Sequence, residues 1–353
     1  MAHRTEDRHA RRLRRVVGTA AGTLACLLAA GTGTVHAEGG FADLGTLPDG
    51  VTGFGYDINN KGTVVGYSAG ADGVQEAVRW DAGGDAVALG ALPGDVGSTA
   101  YTINDNGTAV VGRSITPDGG NRPVKWDGEG RITALPRPSG TLVSRAYSVN
   151  NAGTAVGFAS ASTDVGAYRA VRWSSQGALT ELAPLRGDTG SAAGWLNNRG
   201  TAVGFSVGAE GGYTAVRWSG PGRPVALEPV AGHDGSQASS INDDGVVVGL
   251  SFDGATSHAV RWSRDGDVTR LAPLPGDTGS GAYGISADGS VIGFSAAPDG
   301  THRAVRWAPG GEVSALAAAG SGDTEAFGLN DAGAATGFWT TEDGRTRAAL
   351  WRQ

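Results

Sequence analysis

Few side chains in this sequence could do chemistry, and their spacing limits what that chemistry is. Beyond residue 37 only His233, His258 and His302 remain as imidazoles. A zinc-type centre needs several nitrogen, sulfur or oxygen ligands converging on one point. These three lie far apart, with His258 and His302 in corresponding phrases but one position out of step. They read as loop or strand-end residues, and neither a metal nor a cofactor is expected. Asp95, Asp188 and Asp277 recur in a Gly-Asp-(Val/Thr)-Gly-Ser phrase. Calcium wants many oxygens, yet no phrase has the alternating acids of a dedicated loop, so turn formation is their plainer role. Glycoside hydrolysis needs two facing carboxylates. Asp57 is a single acid in a position filled elsewhere by Thr102, Ser148, Trp195, Ser240, Gly284 and Gly328. No Gly-x-Ser-x-Gly phrase stands at a strand-to-helix turn, since no helix is read to host one, and the Gly-rich stretches recur as β-turns rather than as phosphate-cradling loops. Two tryptophans stand outside any pattern: Trp195 in that same position, and Trp339 after Phe338 at the start of a loop. Such aromatics stack on a sugar or grip a peptide when exposed, and fill a core when not. Trp195, Trp339, Asp57, Asp95, Asp188 and Asp277 are therefore the candidate ligand-binding residues, and no catalytic residue is assigned.

The elements that position these residues begin after an export signal. Six arginines between Arg4 and Arg15 precede an uncharged run from Val16 to Ala30, and Val35-His36-Ala37 offers a cleavage site. That order predicts a signal peptide over 1–37, a secreted product and no lasting membrane anchor. The paired arginines are compatible with the general and the twin-arginine routes alike. Cys26 falls inside the signal, so the mature chain is expected to work without disulfides or thiols. Removing six arginines and two acids leaves 22 basic against 33 acidic side chains, a net charge of −11. Such a surface disfavours nucleic acid and anionic membrane as partners.

The rest of the chain is one repeat. Trp80, Trp126, Trp173, Trp218, Trp262, Trp307 and Trp351 recur every 44 to 47 residues, most of them closing an Ala-Val-Arg-Trp phrase. Two glycines precede each phrase, one in a turn (Gly62, Gly107, Gly153, Gly200, Gly245, Gly289, Gly333). The other sits within a strand (Gly66, Gly112, Gly157, Gly204, Gly249, Gly293, Gly337). Recurrence of this second glycine suggests close approach by a bulky neighbour such as a tryptophan. The recurring Arg79, Lys125, Arg172, Arg217, Arg261 and Arg306 are read as structural cations, stacked on aromatics or paired with turn acids. Each copy divides into four short strands, and no helical period intervenes. Four antiparallel strands in 40–45 residues is the pattern of a propeller blade. The N-terminus owns a spare fourth strand at 41–47, and the last copy stops after its third. The expectation is an all-β, seven-bladed β-propeller over 38–353, its last blade closed by the N-terminal strand, which removes two sheet edges.

These phrases resemble the bacterial HAF family of extracellular repeats. Asp43-Leu44-Gly45-Thr46-Leu47, Ile58-Asn59-Asn60-Lys61-Gly62 and Val64-Val65-Gly66-Tyr67-Ser68 carry the resemblance, which spans 41–351. The family's naming phrase is replaced here by Ala-Val-Arg-Trp, and only Leu350-Trp351 restores its end. The resemblance implies an exported repeat protein, with no reaction to carry over. Three functional classes stay open. One is a binding propeller holding a glycan, peptide or wall component on the face with the longer loops. The second is a secreted enzyme acting on polysaccharide, and the third is a scaffold.

Overall fold

A computed structural model describes residues 40–352 except 163, 221, 255 and 321. The expected signal peptide, its arginine pairs and Cys26 lie outside the described residues. No helix among the described residues is long and apolar enough to cross a membrane.

The described residues run through 28 strands. β1 is Phe41–Gly45. Four strands then form a sheet in chain order: β2 (Thr52–Ile58), β3 (Val64–Ala69), β4 (Gln75–Trp80) and β5 (Ala86–Ala88). β6 (Gly97–Ile103), β7 (Ala109–Ile115), β8 (Asn121–Asp127) and β9 (Ile132–Ala134) repeat it, as do β10 (Val143–Val149), β11 (Ala155–Ser160), β12 (Arg169–Trp173) and β13 (Leu179–Leu182). A single parallel bridge, Val143 to Asn121, joins these last two sets into one eight-stranded sheet. Next come β14 (Gly190–Leu196), β15 (Ala202–Val207), β16 (Tyr213–Trp218) and β17 (Val225–Leu227), then β18 (Gly235–Ile241), β19 (Val247–Asp253), β20 (Thr256–Trp262) and β21 (Val268–Arg270). β22 (Gly279–Ile285), β23 (Val291–Ala296), β24 (His302–Trp307) and β25 (Val313–Ala315) make another. The last set has three strands of its own, β26 (Thr324–Leu329), β27 (Ala335–Thr340) and β28 (Thr346–Trp351), and β1 takes its free edge. Phe41 lies opposite Trp351 and Ala42 opposite Leu350. The architecture is all-β and propeller-like, built from four-stranded antiparallel units.

The repeated residues explain the units. The turn glycines all have positive φ, from 71° at Gly107 to 87° at Gly289, which an L side chain resists. The second glycines have a different cause from the one expected. Every first strand carries a bulge, such as Ala193/Trp195 in β14. The bulge drives a backbone carbonyl onto the facing glycine. A Cβ at Gly66 would lie 1.8 Å from the Phe54 carbonyl oxygen, and one at Gly204 2.0 Å from that of Ala192. The bulky neighbour is backbone, not tryptophan.

The tryptophans are the core between sheets. Six of the seven repeat rings are wholly inaccessible, and Trp351 nearly so. Each hides roughly 150–250 Å², about 4–6 kcal/mol of gross burial. Except at Trp80, their indole N–H groups reach back to the preceding sheet: Trp126 to the Leu89 carbonyl (2.8 Å), Trp218 to Ala183 (2.8 Å), Trp262 to Glu228 (2.7 Å). Buried serines add a second set of links. Ser98, Ser191, Ser236 and Ser280 accept from Ala77, Ala170, Ala215 and Ala259 of the sheet before. Asparagine turns supply a third, with Asn150 donating to Asn197 O, Asn197 to Asn242 O, and Asn330 to Asn59 O. The recurring arginines also join sheets, but through turn carbonyls rather than acids or rings. Arg172 donates to Gly200 O (2.8 Å), Arg217 to Arg264 O (2.7 Å) and Arg261 to Gly289 O (2.9 Å).

Candidate functional site

One position before that of Asp57, most first strands carry an aromatic residue. Tyr56, Tyr101, Tyr147, Tyr283 and Phe327 occupy it in β2, β6, β10, β22 and β26, and all are half-buried. Their rings form a continuous arc. Centroids lie 5.3 Å apart for Tyr56 and Tyr101, 5.0 Å for Tyr101 and Tyr147, 6.3 Å for Tyr56 and Phe327, and 4.7 Å for Phe327 and Tyr283. Phe54 stacks on Phe338 at 5.1 Å and Phe158 on Tyr168 at 4.2 Å, widening the arc at one end of the strands. β14 and β18 supply only Gly194 and Ser239, so the arc is open on that side.

Polar groups are set among the rings. The Arg145 guanidinium lies 5.8 Å over Phe158 and reaches the Tyr147 hydroxyl at 3.4 Å. Arg113 donates to Gln75, Thr99 and Asn121. The arrangement presents flat apolar faces edged by donors. Burial raises the hydroxyl pKa of Tyr56 and Tyr147 and takes Tyr67 to about 12, so these groups stay protonated donors at neutral pH. On the far side Glu325 meets His302 Nδ1 at 2.6 Å and shares a hydrogen bond with Tyr283.

The candidate positions fare unevenly. The run from Asp57 to Gly328 faces the neighbouring sheet instead of the arc. Asp57 is buried and accepts from the Ile103 amide at 3.1 Å, Thr102 donates to Tyr147 O, and Ser148 accepts from the Leu196 amide at 3.2 Å. A Cβ at Gly328 would lie 2.6 Å from Asp57 Cα, which is why glycine stands there. Desolvation raises Asp57 from the ordinary carboxylate range to about 7 against two backbone hydrogen bonds. Trp195 is half-buried against the core formed by Val203, Ile241 and Val247. Trp339 is also half-buried, edge-on to Phe41 at 5.7 Å, with its indole nitrogen inaccessible and unpartnered. Both serve packing rather than an exposed face.

The three aspartates occupy one recurring corner in separate sheets and do not converge. Asp95 is buried with Arg122 3.4 Å away. Asp277 is buried against Arg303 and accepts from Ser295 Oγ at 2.6 Å. An open cleft of about 370 Å³ lies beside that pair. Asp188 sits half-buried in the equivalent turn. The histidines correct the expectation. His233 and His258 stand 5.1 Å apart by ring centroid, and with Asp253 they bring one ligand atom each to within 4.8 Å of one another. Burial first, then Arg270 and His233, lower the pKa of His258 and keep its ring neutral.

The aromatic arc had a sequence signal: Gly-Tyr-Asp-Ile, Ala-Tyr-Thr-Ile, Ala-Tyr-Ser-Val, Ala-Tyr-Gly-Ile and Ala-Phe-Gly-Leu share one register. Reading the inner face one residue late hid it, because a single step along a strand exchanges its faces.

Neither a family model nor a curated protein matches the chain. Solved structures do resemble it. A virginiamycin B lyase from Staphylococcus aureus aligns over 89% of this chain and 99% of its own at 13% identity, with a TM-score of 0.58. A streptogramin B lyase aligns over 88% and 96% at 12% identity and 0.56. An oligogalacturonate lyase in complex with manganese aligns over 88% and 92% at 12% identity and 0.58. These are propeller proteins, and at such identity the likeness concerns fold alone.

Proposed function

We propose that this is an exported, non-catalytic binding propeller of the HAF kind. In this reading seven blades close into a ring through β1, and the aromatic arc on the first strands takes a sugar chain. The arc carries the reading: five half-buried aromatics in one register, edged by Arg145, Arg113 and protonated tyrosines, offer the stacking faces and donors a glycan uses. Closure is supported by the β1–β28 pairing, by Asn330 bonding to Asn59 O, and by Phe54 lying 5.1 Å from Phe327. Export is supported by the basic and apolar N-terminal segment alone.

A glycan and peptide array probed with the purified protein tests this. Saturable glycan binding that falls about tenfold in Tyr101→Ala and Tyr283→Ala is the expected result. Binding only to peptides, or binding indifferent to both variants, overturns it. A second reading, an enzyme acting on polysaccharide, is favoured by the Tyr283–Glu325–His302 set, which has the parts of a proton-transfer site. It requires polysaccharide cleavage that Glu325→Gln abolishes.

A further inference from the structure

One corner of the repeat has been rebuilt in a single sheet. The loop before the first strand makes the same turn in five units: the amides of Gly50, Asp95, Asp188, His233 and Asp277 each donate to a carbonyl three residues back. The next residue's amide then bonds the end of the second strand. The third-strand residues opposite the second-strand serines are also equivalent: Arg122 faces Ser114, Thr214 faces Ser206, His258 faces Ser251 and Arg303 faces Ser295. Where the corner is Asp95 with Arg122, or Asp277 with Arg303, it is an ion pair. In the β18–β21 sheet both members are histidine.

A second change in the same sheet brings a carboxylate. The β19–β20 connection has only residues 254 and 255, whereas the corresponding connections elsewhere run to five residues or more. Shortening extends the ladder to an Asp253–Thr256 pair. Asp253 is two residues beyond Ser251, so both lie on one face, the face His258 shares as the cross-strand partner of Ser251. Asp234 Oδ2 accepts from the Gly254 amide at 3.0 Å and ties the His233 loop to this hairpin.

From this convergence we infer that His233, Asp253 and His258 form a binding site for a divalent transition ion of the zinc class. Two imidazoles and a carboxylate are a donor set for such an ion, with a fourth position left for water or a ligand oxygen. His233 is oriented for the role. Ser251 Oγ lies 2.8 Å from its Nδ1 and directs its own proton to the Gly235 carbonyl, so the ring donates from Nδ1 and keeps the Nε2 lone pair for an ion. Tetrahedral ligand atoms stand about 3.3 Å apart at zinc bond lengths. The trio must therefore tighten by an ångström or more, which the exposed Asp253 and the loop-borne His233 can provide. Arg270 opposes loading: its guanidinium lies 2.8 Å from His258 Nδ1 and puts a positive charge beside the site. Its exposed side chain has room to swing away.

The test is titration of the chelator-treated protein with Zn2+ by calorimetry and with Co2+ by visible absorption. One ion per chain is expected, with the Co2+ bands of low coordination number. His233→Ala and Asp253→Asn, both at solvent-reached positions where folding is not at stake, should each weaken binding at least tenfold. Arg270→Ala should tighten it several-fold. Binding that is absent in the wild type, that survives both His233→Ala and Asp253→Asn, or that weakens in Arg270→Ala overturns the inference.

Discussion

The sheet completed by β1 and the sheet β14–β17 have the same four-stranded arrangement, but one is assembled from two distant segments of the chain and the other from a continuous one. The continuous sheet has a regular fourth-strand register, Ala215 to Leu227 through Arg217 to Val225. β1 instead shifts between Asp43 and Gly45, the one fourth-strand pairing among the described residues that does so. The consequence shows in the next sheet. Trp218 and the other later tryptophans donate to a carbonyl after the preceding fourth strand, whereas Trp80, which follows β1, has a buried indole N–H with no acceptor. The seam keeps its apolar burial, with Phe41, Trp351, Leu44 and Leu350 all in the core, and gives up a hydrogen bond. Burial of shape is more tolerant of a bulge than a directional contact is.

The comparison can be broken first by deleting residues 41–45. If β1 locks the structure, the loss exposes the β28 edge together with Trp351. Thermal unfolding should then fall by ten degrees or more, with association visible by size-exclusion chromatography. An unchanged midpoint would mean that the sheet does not need the strand.

A second effect should come from Asp57, which lies against Gly328 of the last sheet. Its folded-state pKa is about 7, above that of the unfolded chain. Between about pH 4 and pH 7 the native state holds a proton that the unfolded state releases, so its contribution to stability falls as pH rises and levels off above 7. Asp57→Asn keeps an acceptor for the Ile103 amide and removes the charge. It should stabilise the protein at pH 8, by a gain bounded at about 4 kcal/mol, and the gain should vanish near pH 4. Denaturant unfolding at the two pH values checks the sign.

The smallest effect sharpens the contrast directly. Trp126→Phe forfeits the bond to Leu89 O and leaves that carbonyl unpaired, while Trp80→Phe has no such bond to lose. Both variants shed similar ring area. Trp126→Phe should cost more than Trp80→Phe by about 1–2 kcal/mol in urea unfolding.

Much of this architecture was legible in the sequence because it repeats. The tryptophan period, the turn glycines and the spare strand at 41–47 each follow from local chemistry seen seven times. What escaped depends on geometry between strands. A bulge in each first strand settles which of two adjacent residues, Tyr101 or Thr102, faces the arc, and spacing alone does not carry that parity. The same bulge explains Gly204 through a carbonyl that no residue pattern reveals. His233 and His258 are 25 positions apart, and only the cross-strand register at Ser251 and the two-residue hairpin beyond it bring them to Asp253.

The proposed ring stands on the junction of the chain ends, and a cross-link tests it most directly. Ala42→Cys with Leu350→Cys, in a chain whose Cys26 is replaced by serine, places two thiols on partnered positions of β1 and β28. Mild oxidation should join them within one molecule and raise the unfolding temperature, since the bridge closes a loop of nearly the whole domain. Free thiols that persist in the folded protein, or bridges formed only between molecules, would contradict closure through β1.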